Sequence, residues 1–163
     1  MSDAVVCYIG LGSNLNNPRQ QILTARAELI KPAHIEEIGF SSLYQSPPMG
    51  PQDQPHYINA AIAIRALLSA EDLLAHMQHI ERDHGRIRNQ RWGARTLDLD
   101  LLLYGDQRID LPGQLHVPHP GIAHRAFVLH PLAELNPELT IPGLGPVRPL
   151  LEHCPLAGLS RLD

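Results

Sequence analysis

The segment 91–104 constrains the fold of this chain more than any other part of its sequence. It reads Arg-Trp-Gly-Ala-Arg-Thr-Leu-Asp-Leu-Asp-Leu-Leu-Leu-Tyr, so Asp98 and Asp100 alternate with leucines. Strand side chains alternate between two faces, which places both carboxylates on one face with Cα atoms roughly 6.5–7 Å apart. The leucines indicate a central strand, where two acids need a partner such as Mg²⁺, which binds carboxylates together with substrate phosphates. The alternative is a solvated edge strand with two ordinary surface acids.

A cluster of arginines precedes this strand. Five arginines and one aspartate lie between residues 82 and 95, in a chain whose net charge is -4. A guanidinium group binds phosphate oxygens through two parallel hydrogen bonds, so neighbouring arginines can hold a polyphosphate. One basic segment in an otherwise acidic chain indicates a small anionic ligand and argues against a general nucleic-acid binder.

Three other features are less specific. Trp92, the only tryptophan, either anchors its loop on the body of the protein or stacks against a planar heterocycle. The segment 10–14, Gly-Leu-Gly-Ser-Asn, lacks the Gly-Lys-Ser/Thr of a phosphate-binding loop, which favours a tight turn with a polar helix cap. His116 and His119 have a zinc-like spacing without a nearby third ligand, which is more typical of single ligand contacts or ordinary loop residues.

The composition is that of one globular domain, which we place at residues 1–163. The hydrophobic fraction is 44% and the charged fraction 18%, so extensive disorder is not expected. Cys7 and Cys154 are far apart in the sequence and are expected to be reduced thiols of a cytoplasmic protein. The first residues do not resemble a secretory signal, and no apolar run approaches the ~20 residues that span a bilayer.

The predicted order of elements is β-α-β-β-α-β. Strands are predicted at residues 5–11, 35–44, 57–64 and 97–104, and helices after Pro18 and after Ser69, whose Asp72 three residues later is a helix-start signal. This is the order of a ferredoxin-like α+β core, an antiparallel sheet with both helices on one face. A hairpin at 109–115 and helices at 129–135 and 147–153 are predicted as additions around this core.

Several segments together resemble the family of 6-hydroxymethyl-7,8-dihydropterin pyrophosphokinase, a folate-pathway enzyme. They lie at residues 8–15, 46–61, 91–100, 117–120 and 125–132, in the order and spacing of the family. Arg-Trp-Gly to Asp-Leu-Asp is the most specific of them. The resemblance implies transfer of pyrophosphate from ATP to the hydroxymethyl group of the pterin, with release of AMP. It also implies two Mg²⁺ ions shared by Asp98 and Asp100, and we expect a cytoplasmic monomer without nucleic-acid or membrane partners.

The resemblance also assigns roles position by position. It implies catalysis by Arg86, Arg91, Arg95, Asp98 and Asp100. It implies ATP contacts by Gln78, Glu81, Arg88, Arg91, Trp92, Arg95, Leu101, His116, His119 and Arg125. It implies pterin contacts by Ser46, Pro47, Met49, Tyr57, Asn59, Trp92, Asp98 and Phe127, with Trp92 on a loop that closes over the substrates.

Departures from the family pattern are few. Ala94 stands where members often carry proline, Ser46 replaces a common threonine, and His116 stands where a small hydroxyl residue often contacts the nucleotide. Two other functions fit parts of the pattern. A two-metal nucleotide hydrolase would also use two acids, and a ferredoxin-like sheet can bind RNA, although an aromatic fraction of 4% argues against RNA.

Overall fold

The computed structural model describes residues 4–15, 17–47, 56–84, 97–154 and 158–162. Its helices are α1 (Pro18–Leu29), α2 (Ala70–Asp83), α3 (Ala126–Leu135) and α4 (Val147–Glu152), and a 3-10 turn covers Ile122–His124. Its strands are β1 (Val5–Ser13), β2 (Ile35–Phe40), β3 (Leu43–Ser46), β4 (Tyr57–Ala66), β5 (Asp98–Tyr104), β6 (Ile109–Leu111), β7 (Leu115–Val117), β8 (Thr140–Ile141), β9 (Gly145–Pro146) and β10 (Ser160–Leu162).

One antiparallel sheet organises the molecule. Its strands follow the order β10-β3-β4-β1-β5, and β2 also pairs with β4. The predicted ferredoxin-like βαββαβ core is confirmed, as are the C-terminal hairpin and short helices. No helix in the described ranges is long and apolar enough to span a membrane.

The prediction that the aspartate-bearing strand is central is wrong, because β5 is an edge strand in the described sheet. Its leucines are nevertheless buried, since elements from other parts of the chain cover the strand. The backbone N–H of Leu99 donates to a carboxylate oxygen of Glu81 on α2 at 2.9 Å. The carbonyl of Leu102 accepts from the backbone N–H of His119 at 3.1 Å. Among the described residues, the edge is thus covered by one side chain and one loop.

The single strand predicted at 35–44 is also wrong in detail, because the chain forms two strands, β2 and β3, that pair with β4 one after the other. The break lies at Ser41 and Ser42. The hydroxyl of Ser41 accepts from the backbone N–H of Ala61 at 2.9 Å, while the N–H of Ser41 donates to the carbonyl of Ala61 at 2.9 Å. A side-chain oxygen therefore takes the place of a backbone acceptor, which the apolar pattern of the segment does not reveal.

The helices α1 and α2 cover one face of the sheet, as predicted. Pro18 occupies the first turn of α1, where its missing N–H needs no partner. Ser69 caps α2 by accepting from the N–H of Asp72 at 3.1 Å. Both helices bury one apolar stripe against alternate residues of the strands; the buried side chains include Ile22, Ala25, Leu29, Leu73, Met77, Ile80, Cys7, Ile9, Ile62, Ile64, Leu99 and Leu101.

The C-terminal helices cover the opposite face and form a second core. The first of them begins at Ala126, three residues before the predicted start. Its Leu129 and Leu132 pack with Tyr8, Ala63 and other residues whose side chains lie on the sheet face away from α1 and α2. The C-terminal region is therefore a third layer, and the site described below lies on the sheet face that this layer partly covers.

Candidate active site

The two aspartates of β5 lie on the sheet face of the second core. In the pairing with β1, Asp98 is opposite Gly12 and Asp100 is opposite Gly10. Leu99 and Leu101, which alternate with the acids, are only 6% and 3% exposed and belong to the core under α1 and α2. The alternation predicted from the sequence is confirmed, and both carboxylates share one face.

The glycines opposite the acids keep the neighbouring surface free of side chains. The predicted tight turn at 10–14 is wrong, because Gly10 and Gly12 lie inside β1, which continues to Ser13. A Cβ atom added to Gly12 would lie 3.2 Å from Oδ1 of Asn59. At Gly10 the nearest atom would be a leucine Cδ1 at 3.5 Å. The glycines that favour a turn in the sequence instead lie in a strand, where they let neighbouring groups come close to the backbone beside the two acids.

A buried carboxylate on α2 holds β5 in place. Glu81 is only 4% exposed and accepts from the N–H of Leu99, the residue between the two aspartates. A buried acid on a helix thereby fixes the part of the edge strand that carries the acids. Gln78 lies one turn earlier on α2 and is half-buried. The ATP contacts of Glu81 and Gln78 stay predictions.

The loop after β7 brings a histidine to the acids. Nε2 of His119 lies 3.7 Å from Oδ1 of Asp100. The N–H of Gly121 donates to Nδ1 of His119 at 3.1 Å, so the neutral ring carries its proton on Nε2. Burial lowers the pKa of His119. The negative charge of Asp100 acts in the opposite direction, and the positive charge of Arg125 lowers the pKa further. The neutral ring therefore presents a hydrogen-bond donor on the side of the aspartates.

Arg125 and Phe127 lie at the start of α3. The guanidinium carbon of Arg125 is 5.8 Å from the centre of the Phe127 ring, within the range of a cation–π contact. A Cβ atom at Gly121 would lie only 2.6 Å from Nε of Arg125, so this position leaves room for the guanidinium group. The early start of α3 thus places a cation near His119 and an aromatic ring beside it.

A second polar group lies on the same sheet face, on β4 and β3. Asn59 is opposite Gly12 of β1, which in turn is opposite Asp98 of β5. Its side-chain amide donates to the hydroxyl of Ser46 at 2.8 Å, and the two residues are 5% and 7% exposed. Tyr57 is opposite Ser46 and is half-buried, and Pro47 follows β3. The register thus places two predicted pterin contacts, Tyr57 and Asn59, two strands from the acids, and a third, Ser46, on the next strand.

Other predicted contacts lie elsewhere or outside the described residues. Nδ1 of His116 is 2.6 Å from Oδ1 of Asp110 across the β6–β7 hairpin, where its side chain is 48% exposed. The side chain of Leu101 lies on the sheet face opposite the two aspartates. The predictions for Met49, Arg86, Arg88, Arg91, Trp92 and Arg95 fall outside the described residues.

The donor set suits Mg²⁺ held jointly by protein and substrate. Within the described ranges, no group of three or more His, Cys, Asp or Glu side chains could hold a metal by itself. Two carboxylates are hard oxygen ligands on one face, and Asp100 is 45% exposed. Mg²⁺ is commonly bound by one or two carboxylates and completed by phosphates and water, so the residues fit this ion.

One network near this site has no signal in the sequence. The carboxylate of Glu134 on α3 accepts hydrogen bonds from Ser42 and from Tyr44, which lies opposite Asn59. These residues are about 90 positions apart in the chain. No local pattern contains this contact, since Glu134 is visible in the sequence only as an acid at the penultimate position of a strongly apolar helix.

Comparison with known proteins relates these residues to a family. Residues 8–137 match the family described as 7,8-dihydro-6-hydroxymethylpterin-pyrophosphokinase. The 2-amino-4-hydroxy-6-hydroxymethyldihydropteridine pyrophosphokinase of Pseudomonas aeruginosa is 46% identical over 155 residues, covering 95% of both chains. The protein of that name from Haemophilus influenzae is 44% identical over 138 residues, covering 85% of this chain and 86% of its own. The one from Methylorubrum extorquens is 37% identical and covers 96% and 98%.

Solved structures support the same assignment at the level of the fold. Wild-type Plasmodium falciparum HPPK-DHPS with pteroate has a TM-score of 0.72 at 15% identity, over 93% of this chain and 43% of that one. The A437G variant with STZ-DHP has a TM-score of 0.71 at 14% identity, over 91% and 45%. Because the motifs, the full-length relatives and the fold agree, the chain belongs to the 7,8-dihydro-6-hydroxymethylpterin-pyrophosphokinase family.

Proposed function

We propose that this chain transfers the pyrophosphoryl group of ATP to the hydroxymethyl oxygen of 6-hydroxymethyl-7,8-dihydropterin in folate biosynthesis. The oxygen bonds to the β-phosphorus, the bond from that phosphorus to the α-phosphate oxygen breaks, AMP leaves and the hydroxyl proton is released. The row Asn59, Gly12 and Asp98 across three strands carries the proposal, because it sets an amide that can bind a heterocycle two strands from an acid that can hold Mg²⁺ and, through it, a polyphosphate. Family membership supports the same reaction.

Asp98 and Asp100 would hold two Mg²⁺ ions together with the polyphosphate. When bound, the ions supply positive charge that neutralises the polyphosphate and stabilises its transfer. The protein contributes the placement of the two carboxylates, which Glu81 supports through the N–H of Leu99. The glycines opposite the acids leave space for the phosphates. Positioning and electrostatics of this kind lower the barrier without a dedicated base.

The phosphates of ATP are proposed to lie between the acids on one side and, on the other, the arginine-rich segment 82–95 and the residues that follow β7. His119 would donate a hydrogen bond from Nε2, and Arg125 would contribute a full positive charge. The arginine-rich segment 82–95 contributes Arg86, Arg88, Arg91 and Arg95 in this proposal, and Gln78, Glu81, Leu101 and His116 are assigned to the nucleotide. These assignments rest on the match to the family over residues 8–137.

The pterin is proposed to lie between Tyr57 and Phe127 with its polar edge against Asn59. The hydrogen bond from Asn59 to Ser46 orients the amide before the pterin binds, because the Nδ2 group already has an acceptor. Ser46, Pro47, Met49, Trp92 and Asp98 complete this assignment. Aromatic rings above and below a planar heterocycle bury its faces, while the amide selects its hydrogen-bonding pattern.

A product assay tests the reaction. The protein is incubated with ATP, Mg²⁺ and 6-hydroxymethyl-7,8-dihydropterin, and AMP, ADP and phosphate are separated. AMP that appears only with the pterin supports pyrophosphoryl transfer, whereas ADP would contradict it. Phosphate released without pterin would favour the two-metal hydrolase, and tight binding of single-stranded RNA in moderate salt would favour the RNA-binding module.

We further propose that the enzyme acts as a cytoplasmic monomer on these two small molecules. Cys7 and Cys154 are free, buried cysteines, and thiols that are not joined in disulfides are typical of cytoplasmic proteins. Sedimentation velocity at micromolar concentration measures the oligomeric state. A concentration-independent mass of two chains would contradict the monomer.

A further inference from the structure

Glu134 on α3 connects three parts of the chain that are distant in sequence. Its carboxylate oxygens accept from the backbone N–H of Ser42 at 3.0 and 3.1 Å and from the Ser42 hydroxyl at 2.9 Å. The phenol of Tyr44 donates to it at 2.6 Å. A guanidinium nitrogen of Arg161 on β10 lies 3.4 Å away. One acid thus holds the start of β3 and the edge strand beside it.

The strand that Glu134 holds also carries the proposed pterin contacts. Tyr44 is opposite Asn59 in the pairing of β3 with β4. Two residues further along β3, Ser46 accepts the hydrogen bond from the Asn59 amide at 2.8 Å. Because β3 is only four residues long, a shift at Tyr44 would be passed on to Ser46. The orientation of the Asn59 amide therefore depends on where Glu134 holds the strand.

The helix that carries Glu134 also carries the proposed second wall of the pterin site. Phe127 and Glu134 are seven residues apart on α3, which is two helical turns and places them on the same side. This helix packs against both β3 and β4. A bond between Glu134 and β3 consequently sets the separation between Phe127 on the helix and Ser46 on the strand.

The network needs a carboxylate. Every described partner of Glu134 donates a hydrogen bond, so both oxygens of the side chain must accept. Burial alone would raise the pKa of Glu134, but the hydrogen bonds of Tyr44 and Ser42 and the charge of Arg161 outweigh burial and lower it. A glutamine has the same shape but replaces one oxygen with an NH₂ group, which would face a donor.

We propose that Glu134 is a positioning residue for the pterin, which acts by fixing β3 against α3 and so sets the pterin affinity of the enzyme. This inference rests on the proposed function. It assigns no contact between Glu134 and either substrate. It places the effect on the heterocycle alone, because the aspartates of β5 are held by a different acid, Glu81.

The test compares Glu134→Gln with Glu138→Gln, a matched control on an exposed ion pair with Arg148. For Glu134→Gln we expect the KM for the pterin to rise about tenfold, the loss expected when a displaced Asn59 amide no longer makes its hydrogen bond to the pterin. The KM for ATP and kcat at saturating pterin should remain within about twofold of wild type. The control should match wild type in all three constants.

For the Glu134→Gln variant, two outcomes would overturn the inference. A folded Glu134→Gln variant with wild-type pterin KM would show that the network does not position the pterin. An equal rise in the KM values for ATP and for the pterin would show that the network only supports the fold. If this variant does not fold, Tyr44→Phe, which removes one donor, must raise the pterin KM selectively by about threefold, or the inference fails. A wild-type protein that binds ATP without any turnover of pterin would overturn the proposed function, and this role with it.

Discussion

The two faces of the central sheet are built from the same strands and differ in almost every other respect. On the face under α1 and α2, alternate residues of β1, β4 and β5 are apolar and buried, and together with the two helices they form a large hydrophobic core. On the opposite face the same strands present Gly10, Gly12, Asn59, Asp98 and Asp100. The C-terminal helices cover only part of this second face.

This difference shows how one sheet separates stability from chemistry. The apolar face under α1 and α2 contributes a large share of the hydrophobic free energy of folding, beside the smaller core under the C-terminal helices, so it tolerates polar groups and cavities poorly. The other face carries acids, an amide and positions without side chains, which contribute little to burial but can bind charged and polar ligands. Substitutions on the two faces should therefore affect different measurements.

The largest effect is expected for Asp98→Ala or Asp100→Ala. Turnover should fall by about a thousandfold or more, because the carboxylate charge that holds the metal ions on the polyphosphate is halved. The free energy of unfolding should change by less than about 0.5 kcal/mol, since each variant removes one of two neighbouring acids. Steady-state kinetics and urea unfolding measure the two quantities, and near-normal turnover in either variant would exclude the metal assignment.

For Leu73→Ala on the apolar face, we expect a loss of stability with little change in substrate affinity. Leu73 is fully buried between α2 and the sheet, so truncation should lower the free energy of unfolding by about 2–5 kcal/mol. The KM values of the folded enzyme at low temperature should stay within about twofold. The exposed Leu67, 54% accessible, provides a control whose truncation should be nearly neutral. A large selective loss of substrate affinity in Leu73→Ala would break the separation between the faces.

A smaller effect is expected for Gly12→Ala on the polar face. The added Cβ atom would lie 3.2 Å from Oδ1 of Asn59 and should displace the amide. We expect the KM for the pterin to rise about tenfold, near the lower end of overpacking effects. Gly10→Ala is the control, because its nearest neighbour at 3.5 Å is a leucine side chain. Pterin affinities that do not differ between these two variants would contradict the role given to Asn59.

The smallest effect concerns the ion pair between Arg26 on α1 and Glu37 on β2. The hydrogen bond from Arg26 lowers the pKa of Glu37, against a smaller opposing effect of burial. A lowered pKa means that this stabilisation is present above the pKa of the unfolded chain and is lost as the pH falls through the folded pKa. Arg26→Gln should lower the free energy of unfolding by about 0.2–1 kcal/mol near pH 7 and by less in acid, below the lowered pKa of Glu37. Urea unfolding at both pH values checks this, and a loss that persists in acid would contradict it.

Features that depend on local pattern were predictable. The alternation in β5, the Pro18 start of α1 and the Ser69 cap of α2 each involve residues within a few positions of one another. The break at Ser41 was not predictable, because it depends on a hydrogen bond to Ala61, twenty residues away. The edge position of β5 was not predictable either, since a strand covered by Glu81 has the same apolar pattern as a central one.

The sequence by itself determined the class of fold, the pairing of Asp98 and Asp100 on one face and the family. Those properties follow from side-chain periodicity and from motifs in a fixed order along the chain. Only the tertiary structure decided that Asn59 lies in register with Gly12 and Asp98, that His119 reaches Asp100, and that Glu134 holds β3. The physical reason is that these contacts join residues up to about 90 positions apart, and strand register and helix packing set them collectively.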